Sequence, residues 1–216
     1  MSLYLSRLIL DPRSRQVQSE LVKPFQMHRT LWRAFPNAEA QGEGVGRVLF
    51  RVDQDDRVDL PMVLVQSVRK PDWSFFGSIK GYLARDLDGV ENPAVKSFSP
   101  QIDAGRRLVF RLRANPTVKR DGKRLGLIKE EDQIRWLERK GEVGGFRVLS
   151  ARVTSENFAR DHKTDNGGLR PLSFFSARFD GLLAVTDPDR FLQSIVTGIG
   201  SAKGFGFGLL SLARAR

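Results

Sequence analysis

The chain has 216 residues, of which 40% are hydrophobic and 15 are phenylalanine. This composition can build a packed core, and the length fits one large domain or two of about 100 residues each. With no cysteine and two histidines, disulfide scaffolds, thiolate zinc sites and cysteine nucleophiles are excluded. A formal net charge of +11 favours a polyanionic partner, most simply a nucleic acid.

The excess positive charge lies mainly in the second half of the chain. Residues 1–100 carry 14 basic and 12 acidic side chains, whereas residues 101–216 carry 22 and 13. Arginine predominates, and its planar guanidinium suits phosphate oxygens and can stack on bases. No apolar run approaches the roughly 18 residues that span a bilayer, and the N-terminus lacks a signal-peptide pattern. We therefore expect a cytoplasmic protein with no membrane partner.

The first half predicts a strand, a helical region in two pieces and two further strands. Pro24 would break one continuous helix but suits the first turn of a second one. In chain order we expect a strand at Tyr4–Leu10, a helix from Phe25 to about Phe35, a loop at Asn37–Gly46, a strand at Arg47–Val52, an acidic turn at Asp53–Asp59 and a strand at Met62–Ser67.

The second half follows residues 86–105, a segment rich in Asp, Gly, Asn, Pro and Ser in which we place the domain boundary. Residues 107–113 alternate, which turns Leu108, Phe110 and Leu112 toward a core and the arginines outward. We then expect a basic loop at Lys119–Arg124, a helix from Glu130 to about Lys140, strands at Phe146–Val153, Leu172–Phe179 and Leu182–Thr186, a helix at Pro188–Val196 and a strand at Leu209–Leu212.

Both halves mix strands and helices in roughly ferredoxin-like order. The predicted fold class is therefore α+β, with two tandem ferredoxin-like (RRM-like) domains and antiparallel sheets. We expect an N-terminal domain at residues 1–95, a linker at 96–105 and a C-terminal domain at 106–216. Such sheets often present an open face to RNA, although a fold alone does not establish a function.

A glycine-rich segment, Gly198–Gly208, follows a predicted helix and precedes a predicted strand. That order is wrong for a dinucleotide fingerprint, and Lys203 is followed by glycine rather than by the Ser or Thr of a Walker loop. Glycines let backbone amides approach a phosphodiester closely, and Lys203 adds charge. The alternative is a flexible turn with its two phenylalanines in the core.

His28 is the main candidate for acid–base chemistry, because an imidazole titrates near pH 6.5. Arg29 is adjacent and Arg33 lies one helical turn beyond it, so both are candidates for stabilising phosphate charge. The alternative is a purely structural histidine. His162 is a weaker candidate, because its charged neighbours indicate a solvated hairpin tip.

Residues Asn157–Arg170 surround the turn sequence Asn166-Gly167-Gly168 and carry several basic side chains. This pattern predicts a basic β-hairpin that could enter the groove of a duplex. A solvated loop is the alternative.

Five segments along the chain form a recognisable set: Tyr4–Leu10, Pro24–Leu31 (PFQMHRTL), Phe110–Pro116 (FRLRANP), Trp136–Lys140 (WLERK) and Gly198–Leu212. The last of them has the spacing glycine–hydrophobic–glycine, five residues, glycine–hydrophobic–glycine. Taken together, these segments resemble one family, the CRISPR repeat endoribonucleases of type I-E systems (the CasE-type subunit of Cascade).

The resemblance implies two tandem ferredoxin-like domains and metal-free cleavage of precursor CRISPR RNA at the 3′ base of each repeat hairpin. It implies a 2′,3′-cyclic phosphate product, and an enzyme that stays bound to the product hairpin. The family's catalytic histidine corresponds to His28, and Arg33 matches a basic position that stabilises charge. A tyrosine commonly assists three residues before the histidine, but this chain has Phe25 there, which has no hydroxyl.

We accordingly expect no metal, no small-molecule cofactor, a monomer when isolated, and as partners the repeat RNA hairpin and other Cascade subunits. Two alternatives stay open: a non-catalytic RNA-binding module, and a structural subunit that meets RNA only through protein partners. The residues expected to bind RNA are basic or lie in the glycine segment: Arg29, Arg111, Arg113, Lys119, Arg120, Lys123, Arg124, Arg160, His162, Lys163, Arg170, Gly200, Lys203, Gly204 and Gly206.

Overall fold

The computed structural model describes residues 2–35, 47–165 and 168–215, and for residues 155–173 it describes the backbone alone. The predicted loop Asn37–Gly46 lies outside the described residues. The chain forms two compact units. The first comprises Met1–Ser99, Asp161–Arg170 and Gly204–Gly206, and the second comprises Pro100–Arg160, Pro171–Lys203 and Phe207–Arg216.

The first unit carries a four-stranded antiparallel sheet of order β2-β3-β1-β4. This is the ferredoxin-like order, with the second crossover reduced to a 3₁₀ turn. Its elements are β1 (Leu3–Ile9), α1 (Arg15–Val22), α2 (Pro24–Trp32), β2 (Leu49–Asp55), β3 (Leu60–Ser67), the 3₁₀ turn (Ser74–Ser78) and β4 (Ala94–Phe98).

The break between α1 and α2 occurs where the sequence predicts it. The N–H of Lys23 bonds back to Ser19 and closes α1, and Pro24 occupies the first turn of α2, where its missing N–H costs nothing. Met27 and Leu31 lie one turn apart and are fully buried in the core. Burying side chains of this size stabilises the fold by about 2 kcal/mol each.

The second unit repeats the same topology with sheet order β10-β5-β9-β8. Leu108, Phe110 and Leu112 are buried while Val109 between them is 44% exposed, so the predicted alternation is confirmed. The elements are β5 (Arg107–Ala114), β6 (Thr117–Arg120), β7 (Lys123–Gly126), α3 (Glu130–Gly144), β8 (Phe146–Asp165), β9 (Gly168–Val185), α4 (Pro188–Thr197) and β10 (Leu210–Arg214).

Capping explains the limits of both long helices of the second unit. Asp187 accepts a hydrogen bond from the N–H of Arg190 at the start of α4, and Pro188 occupies the first turn, as predicted. α3 runs past the expected end to Gly144 and stops at Gly145, whose φ of 76° is left-handed.

Three predicted elements differ from the structure. The basic segment Lys119–Arg124 is not a loop but the facing ends of a hairpin, β6–β7. Its turn residues, Asp121 and Gly122, have φ values of 49° and 76°, which an Asp-Gly pair adopts readily between two strands. The strands expected at Leu172–Phe179 and Leu182–Thr186 form the single strand β9.

A close backbone contact explains why β9 is continuous. Gly181 lies between the two predicted strands, and a Cβ there would clash with the carbonyl oxygen of Ser150 on β8. Glycine therefore permits the approach of two backbones within the sheet rather than ending the strand.

The remaining differences lie in the first unit. Residues 53–55 continue β2 through pairing with β3, so the acidic turn is confined to residues 56–59. β4 pairs with β1, which extends the first sheet three residues into the segment expected as a linker.

Candidate active site

His28 is held on α2 beside the buried face of that helix, and its side chain is half-buried in the first unit. Aromatic rings surround the imidazole. Phe25 stacks on it at a centroid distance of 6.1 Å and an interplanar angle of 14°, and Phe50 lies at 6.2 Å. Trp32 meets it edge-on at 5.8 Å. These contacts hold the ring in one orientation.

Among the described side chains, the imidazole of His28 has one polar partner, Trp32. The indole Nε1–H of Trp32 donates to Nε2 of His28 at 2.6 Å. An indole nitrogen can only donate, so Nε2 accepts and the proton of the neutral ring lies on Nδ1.

Burial sets the protonation state of this histidine. Removal from water disfavours the charged form and lowers the pKa of His28 to about 4. At neutral pH the ring therefore carries no charge, and a neutral imidazole with an accepting nitrogen can take up a proton from a substrate hydroxyl.

The glycine segment approaches the imidazole from another part of the chain. A Cβ placed on Gly204 would lie 3.6 Å from Nε2 of His28. The next residue, Phe205, stacks on Phe25 at 5.5 Å. Gly206 has a φ of 81°, and a Cβ there would lie 3.1 Å from the ring of Phe50. Residues 204–206 thus pack directly against the surroundings of His28.

The other residues of the glycine segment belong to the second unit. Phe207 is buried at 1% exposure, which fits the alternative interpretation of a core phenylalanine. Gly200 has a φ of 85°, and a Cβ there would lie 3.1 Å from Trp136. Packing therefore accounts for Gly200, and Lys203 lies in a short 3₁₀ turn.

Arg29 lies on the exposed face of α2, and Arg33 follows one turn later as the exposed C-cap residue of that helix. They line a surface pocket with Gln26, Thr30 and the carboxylate residue Glu20. The guanidinium of Arg33 lies 4.5 Å above the ring of Phe75. The two arginines thus form a positively charged patch on the helix that carries His28.

Beneath this pocket is a buried polar cluster that the sequence did not reveal. Glu20 is 4% exposed and accepts hydrogen bonds from Thr30 at 2.7 Å, Tyr82 at 2.6 Å and Gln16 at 2.8 Å. Burial, with the nearby carboxylate of Glu20, raises the pKa of Tyr82, so its hydroxyl remains a donor. The cluster anchors α2 through Thr30, two residues after His28.

The arginines expected to bind RNA on β5 have partners within the second unit. Arg111 pairs with Asp180 at 2.5 Å, and Arg178 pairs with the other oxygen of that carboxylate at 2.9 Å. Arg113 donates to Ser176 at 3.0 Å, and its guanidinium lies 5.4 Å from the ring of Phe207. Part of the charge of these arginines is therefore neutralised by contacts that stabilise the second sheet.

The basic side chains of the β6–β7 hairpin are exposed. Lys119 lies opposite Arg124, and Arg120 lies opposite Lys123. Like charges facing each other destabilise a hairpin, and a two-stranded hairpin has little stability to spare. The arrangement suits a surface that meets an anionic partner.

The second predicted basic hairpin is described only in its backbone. β8 runs to Asp165 and β9 begins at Gly168, and the two strands are neighbours in the sheet. The side chains of Arg160, His162, Lys163 and Arg170 lie outside the described part of the structure, so their RNA contacts stay a prediction.

The described residues form neither a membrane-spanning helix nor a cluster of metal ligands. None of the helices they form is long and apolar enough to cross a membrane. Among the described side chains, no three histidine or carboxylate groups are arranged to hold a metal ion.

The known proteins that are similar in sequence to this chain are CRISPR-associated proteins. A family model described as CRISPR associated protein matches residues 3–214. The CRISPR-associated endoribonuclease Cse3 of Thermus thermophilus is 36% identical, covering 98% of this chain and all of the relative. The CRISPR system Cascade subunit CasE of Escherichia coli K12 is 32% identical, covering 98% of this chain and 99% of the relative.

Solved structures of the endoribonuclease Cse3 are also similar to this chain. CRISPR endoribonuclease Cse3 bound to a 19-nucleotide RNA matches with a TM-score of 0.84 at 35% identity, covering 99% of this chain and 100% of that one. Thermus thermophilus Cse3 bound to an RNA that represents a pre-cleavage complex matches with a TM-score of 0.81, at 35% identity and the same coverage.

Proposed function

The chain belongs to the CRISPR-associated protein family, and we propose that it is an endoribonuclease that cleaves precursor CRISPR RNA. We place the cut at the 3′ base of each repeat hairpin, without metal, and expect the enzyme to stay bound to the product hairpin. The family resemblance drawn from the sequence motifs is confirmed by relatives that match almost the whole chain.

One observation carries the proposal for the chemistry. His28 is a half-buried, neutral imidazole with an accepting Nε2, and Gly204, which has no side chain, packs against the face of its ring. In the proposed reaction the ribose 2′-oxygen attacks the adjacent phosphate, the 5′-oxygen leaves, and a 2′,3′-cyclic phosphate forms. One acid–base group typically accelerates such a step by about 10²–10⁴-fold, and positioning of the bound hairpin supplies much of the rest.

The arginines of α2 are proposed to stabilise the charge that builds up on the phosphate. Arg29 on α2 and Arg33 at its C-terminal end line the same surface pocket, and a guanidinium fork matches phosphate oxygens. Phe25, which stands where the family commonly has a tyrosine, has no hydroxyl. Its stacking on both His28 and Phe205 supports a role in orienting the imidazole instead.

Two basic hairpins are proposed to bind the RNA stem, mainly through phosphate contacts: β6–β7 of the second unit, and Asn157–Arg170, of which Asp161–Arg170 belongs to the first unit. A-form RNA has a deep, narrow major groove, so shape and backbone contacts dominate its recognition. The exposed hairpin β6–β7 and the hairpin at Asn157–Arg170 are the two basic surfaces that we assign to this role. We further propose that the chain is monomeric when isolated, acts in the cytoplasm and joins other Cascade subunits.

The test uses RNA that carries the repeat of the source organism's own CRISPR array. A 2′-deoxy substitution at the cleaved nucleotide should abolish cleavage and leave binding unchanged, because it removes the attacking oxygen. Excess EDTA should leave the rate unchanged. Cleavage that survives the deoxy substitution, or that EDTA stops, would contradict the mechanism.

A second candidate is a non-catalytic RNA-hairpin-binding subunit of a ribonucleoprotein complex. The absence of a hydroxyl at Phe25 is the observation that favours it. Under this alternative the wild-type chain binds the repeat hairpin but does not cut it. A structural subunit that touches RNA only through protein partners would show no salt-dependent RNA binding in isolation.

A further inference from the structure

Trp32 and His28 lie on the same face of α2, where the indole donates a hydrogen bond to the imidazole. Trp32 follows His28 by four residues, and helical side chains lean toward the N-terminus of their helix, which brings the indole over the imidazole. The indole is itself fixed, because it meets the ring of Phe35 edge-on at 6.2 Å and packs against the core of the first unit.

The hydrogen bond selects one form of the neutral imidazole. A ring with its proton on Nε2 would point that proton at the indole N–H, and two donors cannot bond to each other. Trp32 therefore excludes the Nε2–H tautomer and keeps Nε2 unprotonated, with its lone pair accepting from the indole. Gly204 lies against the face of the same ring and has no side chain to fill the space above Nε2.

We infer that Trp32 is a positioning residue for the cleavage reaction, and that its indole N–H stands in for the ribose 2′-hydroxyl until RNA binds. Both groups are donors to the same lone pair, so the hydroxyl replaces the indole without any change in the tautomer of His28. The inference rests on the proposed function and assigns His28 the role of base.

The step is balanced as follows. The proton of the 2′-hydroxyl passes to Nε2, which makes an imidazolium with protons on both nitrogens. The freed electron pair of the 2′-oxygen forms the bond to phosphorus, and the bond from phosphorus to the 5′-oxygen breaks. A water molecule gives the leaving 5′-oxygen its proton, and the imidazolium later returns its own proton to the resulting hydroxide.

The direct test is the ¹⁵N spectrum of the protein labelled at histidine. The chain has two histidines, so His162→Gln assigns both ring systems. We expect the ring of His28 in the RNA-free wild type to be protonated at Nδ1 and unprotonated at Nε2. In Trp32→Phe we expect the Nε2–H form to appear. A wild-type ring protonated at Nε2 would overturn the inference without any variant.

The kinetic test is single-turnover cleavage by Trp32→Phe. Because only the Nδ1–H tautomer can accept the proton, the rate should fall about tenfold while the RNA affinity stays unchanged. Trp73→Phe is the matched control, because its indole N–H donates to Ser6 at 3.0 Å and its ring also meets Phe35. This control should change neither the rate nor the spectrum of His28.

The outcomes separate the inference from the proposed function. Wild-type rates in Trp32→Phe would overturn the inference alone. A wild-type protein that binds the repeat but does not cut it would overturn the proposed function, and the ¹⁵N spectrum would still decide whether Trp32 sets the tautomer.

Discussion

Gly204 lies against the imidazole of His28, so that a Cβ at this glycine would be 3.6 Å from Nε2 and 3.7 Å from Cδ2. These are ordinary van der Waals distances, and Gly204 does not have a left-handed φ. Gly204→Ala should therefore fold normally but place a methyl group against the ring face beside Nε2, where it would hinder a ribose that approaches this nitrogen. We expect single-turnover cleavage to slow about tenfold, at an unchanged melting temperature.

Gly77→Ala is the control for this substitution. Gly77 also lacks a left-handed φ, and a Cβ there would meet nothing within 4 Å. It should cleave at the wild-type rate. If Gly204→Ala also cleaved at that rate, the space beside Nε2 would not be where the substrate binds.

The lowered pKa of His28 makes stability depend on pH in a defined direction. The folded value is about 4 and the ordinary value is 6.5, so the unfolded chain takes up the proton first as the pH falls. The free energy of unfolding is unaffected above pH 6.5 and falls as the pH drops from 6.5 toward 4. Relative to His28→Gln, the wild type should lose about 1–2 kcal/mol between pH 7.5 and pH 5, measured by urea unfolding.

The second histidine does not disturb this comparison, because His162 is present in both proteins. Equal losses in the wild type and in His28→Gln would mean that His28 titrates near its ordinary pKa when folded. The role of a buried neutral base would then be wrong.

The contribution of the β6–β7 hairpin to RNA binding should be measurable from the salt dependence of the RNA affinity. Replacing the facing pair Lys119 and Arg124 with glutamine should weaken binding of the repeat RNA and reduce the slope of log K against log salt by about 1.5, as expected for two lost phosphate contacts. Thermal stability should not fall, because the substitution removes a like-charge pair.

The matched control replaces two exposed basic residues of the first unit, Arg85 and Lys96, with glutamine. The net charge changes equally, but we expect the slope to stay close to that of the wild type. Equal slopes for both double variants would show that the hairpin acts only through net charge.

Gly122 and Gly145 share a φ of 76°, so replacing each with alanine compares the cost of backbone strain alone with the cost of strain plus a steric clash. At Gly145 a Cβ would lie 2.4 Å from the carbonyl oxygen of Asp187, whereas at Gly122 it would meet nothing within 4 Å. Gly122→Ala should cost about 1 kcal/mol for the left-handed backbone alone, and Gly145→Ala should cost at least about 2 kcal/mol more. Equal costs in urea unfolding would contradict the tight packing between the end of α3 and the start of α4.

Local patterns made much of the fold predictable. The alternation in β5, the proline at the start of α2 and the start of α4 at Pro188 depend on a few residues each, and each is found where the sequence predicts it. The continuity of β9 was not predictable, because Gly181 lies against the backbone of Ser150, thirty-one positions away, and no local pattern contains that contact. The Asp121-Gly122 turn carried a recognisable hairpin signal that the surrounding basic residues obscured.

The candidate site was predictable only in part. His28 and its arginines were identified from residue type and spacing along one helix. The spacing of four residues between His28 and Trp32 was also available from the sequence, but a tryptophan in an apolar stripe usually indicates core packing. The contacts of Glu20 with Tyr82 and of Gly204 with His28 join distant parts of the chain, so only the folded structure reveals them.

The central claim is that His28 carries the cleavage of RNA by this chain. The most direct measurement is single-turnover cleavage of the organism's own repeat RNA by His28→Ala beside the wild type, with the affinity of both measured by titration. We predict that the cleavage rate of His28→Ala falls by at least about 10²-fold while its RNA affinity stays within about twofold. A variant that cuts the repeat at the wild-type rate would contradict the assignment of the site.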